Sequence, residues 1–114
     1  MHMIRSSLLF VALAALPSLA LAQTGDPAKG RYKTAMCQGC HEIPGWRTAY
    51  PEVYSVPKIA GQHPAYLVKA LQAYKSGERK HPSMRAIAAG LSDQDMADLA
   101  AYYGQSGLTM AVKR

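Results

Sequence analysis

Large aromatic side chains are scarce in this chain: one Phe (Phe10) and one Trp (Trp46) stand against seven Tyr. A short domain so poor in bulky apolar residues has a marginal core of its own, and the pattern fits a core completed by a bound group. Cysteine is limited to Cys37 and Cys40. A structural zinc site takes four ligands, and beyond this pair and the adjoining His41 the chain offers only His2, His63 and His81. No alternating strand pattern follows Cys40, which removes the βαβ setting of a thioredoxin-like dithiol. Acidic residues are also few, 7 against 13 Lys plus Arg, giving a formal charge of +6. No nucleic-acid-binding motif accompanies that basic excess, so it reads as a solvated face or as a docking surface for an acidic partner.

Long apolar runs are confined to the N-terminus. Arg5 precedes an apolar stretch from Leu8 to Leu16, and Ala20-Leu21-Ala22 supplies a small-x-small cleavage site. Residues 1–22 are therefore expected to be a secretory signal peptide, with the mature domain at 23–114. The uncharged stretch from Ser6 to Ala22 falls short of the ~20 residues of a membrane span and contains Pro17. The expected location is the periplasm, with no span in the mature chain. No internal repeat or further domain boundary is evident.

What the chain does have is Cys37-Gln38-Gly39-Cys40-His41. Two thiols separated by two residues, with an imidazole directly behind, suit covalent attachment of haem c. Each sulfur adds to a vinyl group, and the histidine becomes an axial iron ligand. The plain alternative is a small disulfide in an oxidising compartment. Export fits the haem reading, because haem is attached to such proteins outside the cytoplasm.

Asp26-Pro27 is a helix start, with Asp at the N-cap and Pro at the first helical position, and Ala28 to Met36 can continue as helix into the cysteine pair. Gly30 weakens this helix unless another helix approaches its backbone closely there, with a frayed terminus as the plain alternative. From Glu42 to Gln62 the signals are those of a loop punctuated by Pro44-Gly45, Pro51, Pro57 and Gly61, long enough to wrap a ligand. A histidine on iron donates its other ring N–H to a carbonyl or carboxylate, and the Pro57 carbonyl is a candidate acceptor. A plain turn residue is the alternative. Pro64 opens a helix that Gly77 closes, with Tyr66, Leu67, Ala70, Leu71 and Tyr74 on one stripe. Glu78 to Gly90 reads as a basic, irregular stretch. Ser92-Asp93-Gln94-Asp95 starts a last helix with a capping-box pattern, Gly104 is its expected end, and Gln105 to Arg114 is expected to be a tail.

The sixth iron position separates electron transfer from catalysis. Met36 adjoins Cys37 on the wrong side of the ring, Met96 lies on the apolar face of the last helix, and Met110 lies in the tail. Met84, flanked by Pro82 after the second strong helix, is placed to present its thioether, with His81 and then His63 as the other candidates.

At this point the chain resembles the class I c-type cytochromes, and within them the bacterial cytochrome c4 and c553-like group. The matching pieces run in family order over nearly all of the mature chain: Cys37 to His41, Val56 to Gln62, Tyr66-Leu67 through Tyr74 to Arg79, Met84 with Ile87-Ala88-Ala89, and Leu91 to Tyr103. The resemblance implies a small all-α fold of helices and loops wrapped around one covalent haem, with the first and last helices crossing near Gly30 and Tyr102. It implies His41 as proximal ligand bonded to the Pro57 carbonyl, and Met84 as distal ligand. There are two departures. Cytochromes c4 carry two such domains in tandem where this chain has one haem motif, and Glu42-Ile43-Pro44-Gly45-Trp46 replaces the usual glycine after the motif. In that loop Trp46, Arg47 and Tyr54 are candidate propionate contacts, with surface cover as the plain alternative.

The implied function is single-electron transfer between redox proteins, such as a reductase, dehydrogenase or terminal oxidase, without bond-making catalysis. Lys58, Arg79, Lys80 and Arg85 are candidates for steering toward an acidic docking surface. Two other readings stay open: a dedicated haem subunit of a periplasmic dehydrogenase, and a ligand-binding or peroxidatic cytochrome with a labile sixth site.

Overall fold

The computed structural model describes residues 23–49 and 53–111, with side chains through residue 105. The expected signal peptide and the side chain of Met110 therefore lie outside the described residues. Five helices follow one another: α1 Pro27–Tyr32, α2 Ala35–His41, α3 Pro64–Ser76, α4 Pro82–Ala89 and α5 Asp93–Ala111. Among the described residues there is no strand, only an isolated antiparallel bridge between Arg47 and Ser55 in the long loop.

Helices α1, α3 and α5 start where the sequence signals place them. The Asp26 carboxylate accepts from the N–H groups of Ala28 (2.9 Å) and Lys29 (3.3 Å), with Pro27 next in line. At α5, Ser92 Oγ accepts from Asp95 N–H at 3.1 Å while Asp95 Oδ2 accepts from Ser92 N–H at 2.9 Å, a reciprocal capping box. Helix α3 begins at Pro64 and stops at Gly77, whose φ of 84° is the left-handed conformation that glycine adopts without strain.

Helix α5 packs on both α1 and α3, and α3 packs on α4. The α1–α5 crossing depends on Gly30: a Cβ there would lie 2.1 Å from Asp98 O and 2.8 Å from Tyr102 Cβ. Only a residue without a side chain lets the two backbones meet. Above this crossing sits a polar knot. Asp98, fully buried, accepts from Asp26 N–H (2.8 Å), Lys33 Nζ (2.7 Å) and Gln94 Nε2 (2.8 Å), and Lys33 also reaches Asp95 at 2.7 Å. Next to it the apolar core gathers Leu67, Leu99, Ala100 and Tyr103, with Cys37, Ile59, Val68 and Leu91 packed against them.

Three sequence expectations are corrected. The first helix does not run unbroken into the cysteines: it stops after Tyr32, where buried Thr34 donates its hydroxyl to Arg31 O and Lys33 turns toward the acidic pair. The stretch from Glu78 to Gly90 is not irregular throughout, since Pro82–Ala89 is helical with His81 as N-cap. Gly104 does not end the last helix, which continues to Ala111. Its missing side chain makes room instead for Pro64, whose Cγ would lie 2.6 Å from a Cβ at that position.

Candidate functional site

The short helix after Thr34 carries both thiols. In α2, Cys37 and Cys40 are three residues apart and share a face, and both are free and half-buried. Burial pushes the Cys37 thiol above its ordinary range; a hydrogen bond with Tyr103 partly offsets this, while Glu42 and Cys40 add to it. A redox-active dithiol has the opposite bias, a thiol depressed toward thiolate. Burial also raises the Tyr103 phenol well above its usual range, with the nearby Cys37 and Glu42 adding to it. That proton is held on the Tyr103 oxygen and directed at Glu42 Oε1, 3.2 Å away.

His41 closes α2. Its Nδ1 lies 2.7 Å from the carbonyl oxygen of Pro57. A carbonyl only accepts, so Nδ1 carries the proton and Nε2 is left with a free lone pair, the tautomer needed to bind a metal. The loop that brings Pro57 here is itself tethered. Thr48 N–H donates to Tyr54 O (2.9 Å), Val56 N–H to Trp46 O (2.9 Å) and Gly61 N–H to Tyr103 O on α5 (2.8 Å).

These residues open onto a cleft of about 590 Å³, within the roughly 300–1,000 Å³ usual for cofactor sites. Cys37, Cys40, His41 and Pro57 line it, and so does Met84 from the first turn of α4. Its apolar walls include Leu67, Ala70, Leu71 and Tyr74 of α3, the stripe legible in the sequence, together with Ile59, Ile87 and Leu99. Of the other iron-ligand candidates, His81 is on the cleft, but His63 is the exposed N-cap of α3 and is not. Met96 is fully buried in α5 away from it, as expected of a core residue, and Met36 lies at the rim, 68% exposed.

Among the steering candidates, Lys58, Arg79 and Lys80 border the cleft, whereas Arg85 turns its guanidinium toward Gly77. Tyr54 borders it too, and Trp46 and Arg47 do not. Neither the Tyr103–Glu42 pair beside Cys37 nor the capping role of His81 is anticipated by the sequence reading. The His-Pro dipeptide at 81–82 is the signal that would have located the cap.

The donor set fits covalent haem c: two free thiols on one helical face, an imidazole with Nδ1 tied and Nε2 open, and an apolar cleft of cofactor size. Among the described residues no group of three or more His, Cys, Asp and Glu is arranged to hold a bare metal ion. No described helix is long and apolar enough to cross a membrane.

A helical fold around such a cleft fits a class of haem-binding proteins, and comparison with known proteins is specific. Residues 26–105 match the family model for cytochrome c. The chain is 42% identical over 82 residues to cytochrome c-554(548) of Halomonas halodenitrificans, covering 69% of this chain and 94% of that one. It is 38% identical over 88 residues to cytochrome c4 of Pseudomonas aeruginosa, covering 77% of this chain and 42% of that one. The solved structure of reduced cytochrome c4 from Pseudomonas stutzeri superposes with a TM-score of 0.59 at 37% identity, over 73% of this chain and 46% of that one. The chain thus spans less than half the length of the cytochromes c4 it matches. It belongs to the cytochrome c family, with that family's small class I all-α fold, haem c and electron-transfer role.

Proposed function

We propose that this protein is a periplasmic monohaem cytochrome that carries single electrons between redox partners, with haem c bonded to Cys37 and Cys40 and ligated by His41 and Met84. One observation carries the reading: the CxxCH helix and Met84 line the same apolar cleft although α2 and α4 are not a packed pair. The bound group supplies reversible one-electron exchange at iron. The chain supplies the rest. Pro57 orients His41 and leaves Nε2 as the donor. Leu67, Leu71 and Ile87 keep the cleft apolar, and a thioether ligand favours a higher reduction potential than a second imidazole. Lys58, Arg79 and Lys80 place positive charge at the rim, suited to an acidic docking surface. With His41 and Met84 both supplied by the chain, a haem iron held here would keep no open position for substrate, which supports a carrier over an enzyme. The single haem motif and the apolar leader of residues 1–22 support one haem and export.

The test is optical and magnetic spectroscopy of the oxidised haem-loaded protein and of Met84→Ala. The wild type is expected to show the near-infrared methionine-to-iron charge-transfer band and the variant to lack it. A wild type without the band, or a variant that keeps it, overturns the Met84 assignment. Carbon monoxide binding to the reduced wild type would favour a labile sixth site. Persistent copurification with a larger catalytic chain would favour a bound subunit over a free shuttle.

A further inference from the structure

We infer that His81 is a positioning residue for Met84. The inference rests on Met84 being the distal ligand. His81 was itself a candidate ligand, and the structure gives its ring other work. As N-cap of α4, with extended φ of −157° and ψ of 109°, it accepts the Met84 backbone N–H on Nδ1 at 3.2 Å. An acceptor nitrogen carries no proton, so this bond holds the ring as the Nε2–H tautomer and turns it back over the first turn of the helix. The same ring packs on two others. Its centroid is 4.3 Å from that of Tyr54, tilted by 42°, and 6.2 Å from that of Tyr74, edge-on at 77°. One imidazole therefore joins three parts of the cleft wall: the long loop through Tyr54, α3 through Tyr74, and the start of α4 through Met84 N–H.

The geometry matters because Met84 stands at the third position of a helix only eight residues long, Pro82–Ala89. Its first turn has few other anchors. Pro82 has no N–H to bond, and among the described helices the main packing partner of α4 is α3. Without the cap, the orphan N–H of Met84 must find water, and the backbone that aims the thioether loses its reference to Tyr54 and Tyr74. His81 thus acts through Met84, not on iron.

The test compares haem-loaded wild type, His81→Ala and His81→Asn. Asn keeps an acceptor suited to an N-cap but loses the ring contacts. The readouts are the methionine charge-transfer band and the affinity of the oxidised protein for added imidazole, which competes with Met84. His81→Ala is expected to weaken the band and bind imidazole about tenfold more tightly, equivalent to about 1.4 kcal/mol of lost methionine ligation. His81→Asn is expected to fall between Ala and wild type. Variants that melt earlier yet keep wild-type band intensity and imidazole affinity would show a merely structural cap and overturn the inference. Loss of a bis-imidazole spectrum in His81→Ala would show that His81 is the ligand, which also overturns it. A wild type lacking the methionine band refutes the parent reading, and the inference falls with it; an intact wild-type band with unmoved variants refutes the inference alone.

Discussion

The buried carboxylate of Asp98 accepts a 2.8 Å hydrogen bond from the backbone N–H of Asp26, tying the N-cap of α1 to the middle of α5. Lys33 and Gln94 complete its coordination, so every contact is to a donor. Removing this acceptor orphans the Asp26 N–H and takes one partner each from Lys33, which keeps Asp95, and Gln94, which keeps the Thr24 carbonyl. Asp98→Ala is expected to lower stability by about 2–3 kcal/mol, with Asp98→Asn intermediate, as judged by chemical denaturation of the haem-loaded protein. Lys33 is partly exposed and recovers water, which keeps the loss below that of a fully buried pair.

The same knot makes the fold sensitive to acid. The Asp26 N–H, with Lys33 and Gln94, holds the Asp98 carboxyl down at about 2, and Lys33 with Ser92 holds Asp95 well below the carboxylate range. A carboxylate depressed in the folded state stabilises above its unfolded pKa of about 3.9 and loses that contribution as pH falls through the folded value. Stability should therefore decline from about pH 4 toward pH 2, and Asp98→Asn should show a shallower decline over that window. Denaturation midpoints measured across the range check it; equal slopes would contradict the assignment.

Two glycines give opposite expectations. Gly30→Ala drives a Cβ to 2.1 Å from the Asp98 carbonyl, and backbone cannot swing aside as a flexible side chain would. A loss of about 3 kcal/mol or more is expected. Gly39→Ala, inside the CxxCH helix, meets nothing within 4 Å and should be neutral or stabilising, by up to about 1 kcal/mol. Thermal melts of the two variants side by side provide the check.

The basic rim should reveal itself in reaction rates with small ions. Lys58 and Lys80 are exposed residues of the cleft border, whereas Arg79 lies over the Tyr74 ring at 4.7 Å. Replacing both lysines by Glu is expected to slow oxidation by ferricyanide about tenfold at low salt, and the difference should close toward 1 M salt as screening shortens to about 3 Å. A cationic oxidant should show the reverse order. Stopped-flow rates over an ionic-strength series measure both.

How far the sequence reaches depends on what sort of signal each residue carries. Asp26-Pro27, Pro64, Gly77 and the Ser92–Asp95 box state their roles locally, and the structure places helix ends at each of them. Gly30 at the α1–α5 crossing was legible through the family resemblance. Gly104 misled because a glycine near the end of a pattern reads equally as a stop or as a close contact; only the position of Pro64 decides it. Helix α4 was hidden by its composition, with basic residues and a proline around a stretch of eight residues, and by a histidine in a capping role usually filled by Ser, Thr, Asp or Asn. The Lys33–Asp98 and Tyr103–Glu42 pairs join residues 65 and 61 positions apart and leave no local trace.

Cys37 packs against the cluster of Leu67, Leu99, Ala100 and Tyr103, three of which lie on α5. The wall beside this thiol is thus largely one helix. The sulfur is open on that side for as long as α5 has not docked, and it is shielded once α5 has. Access to Cys37 is set by the docking of α5.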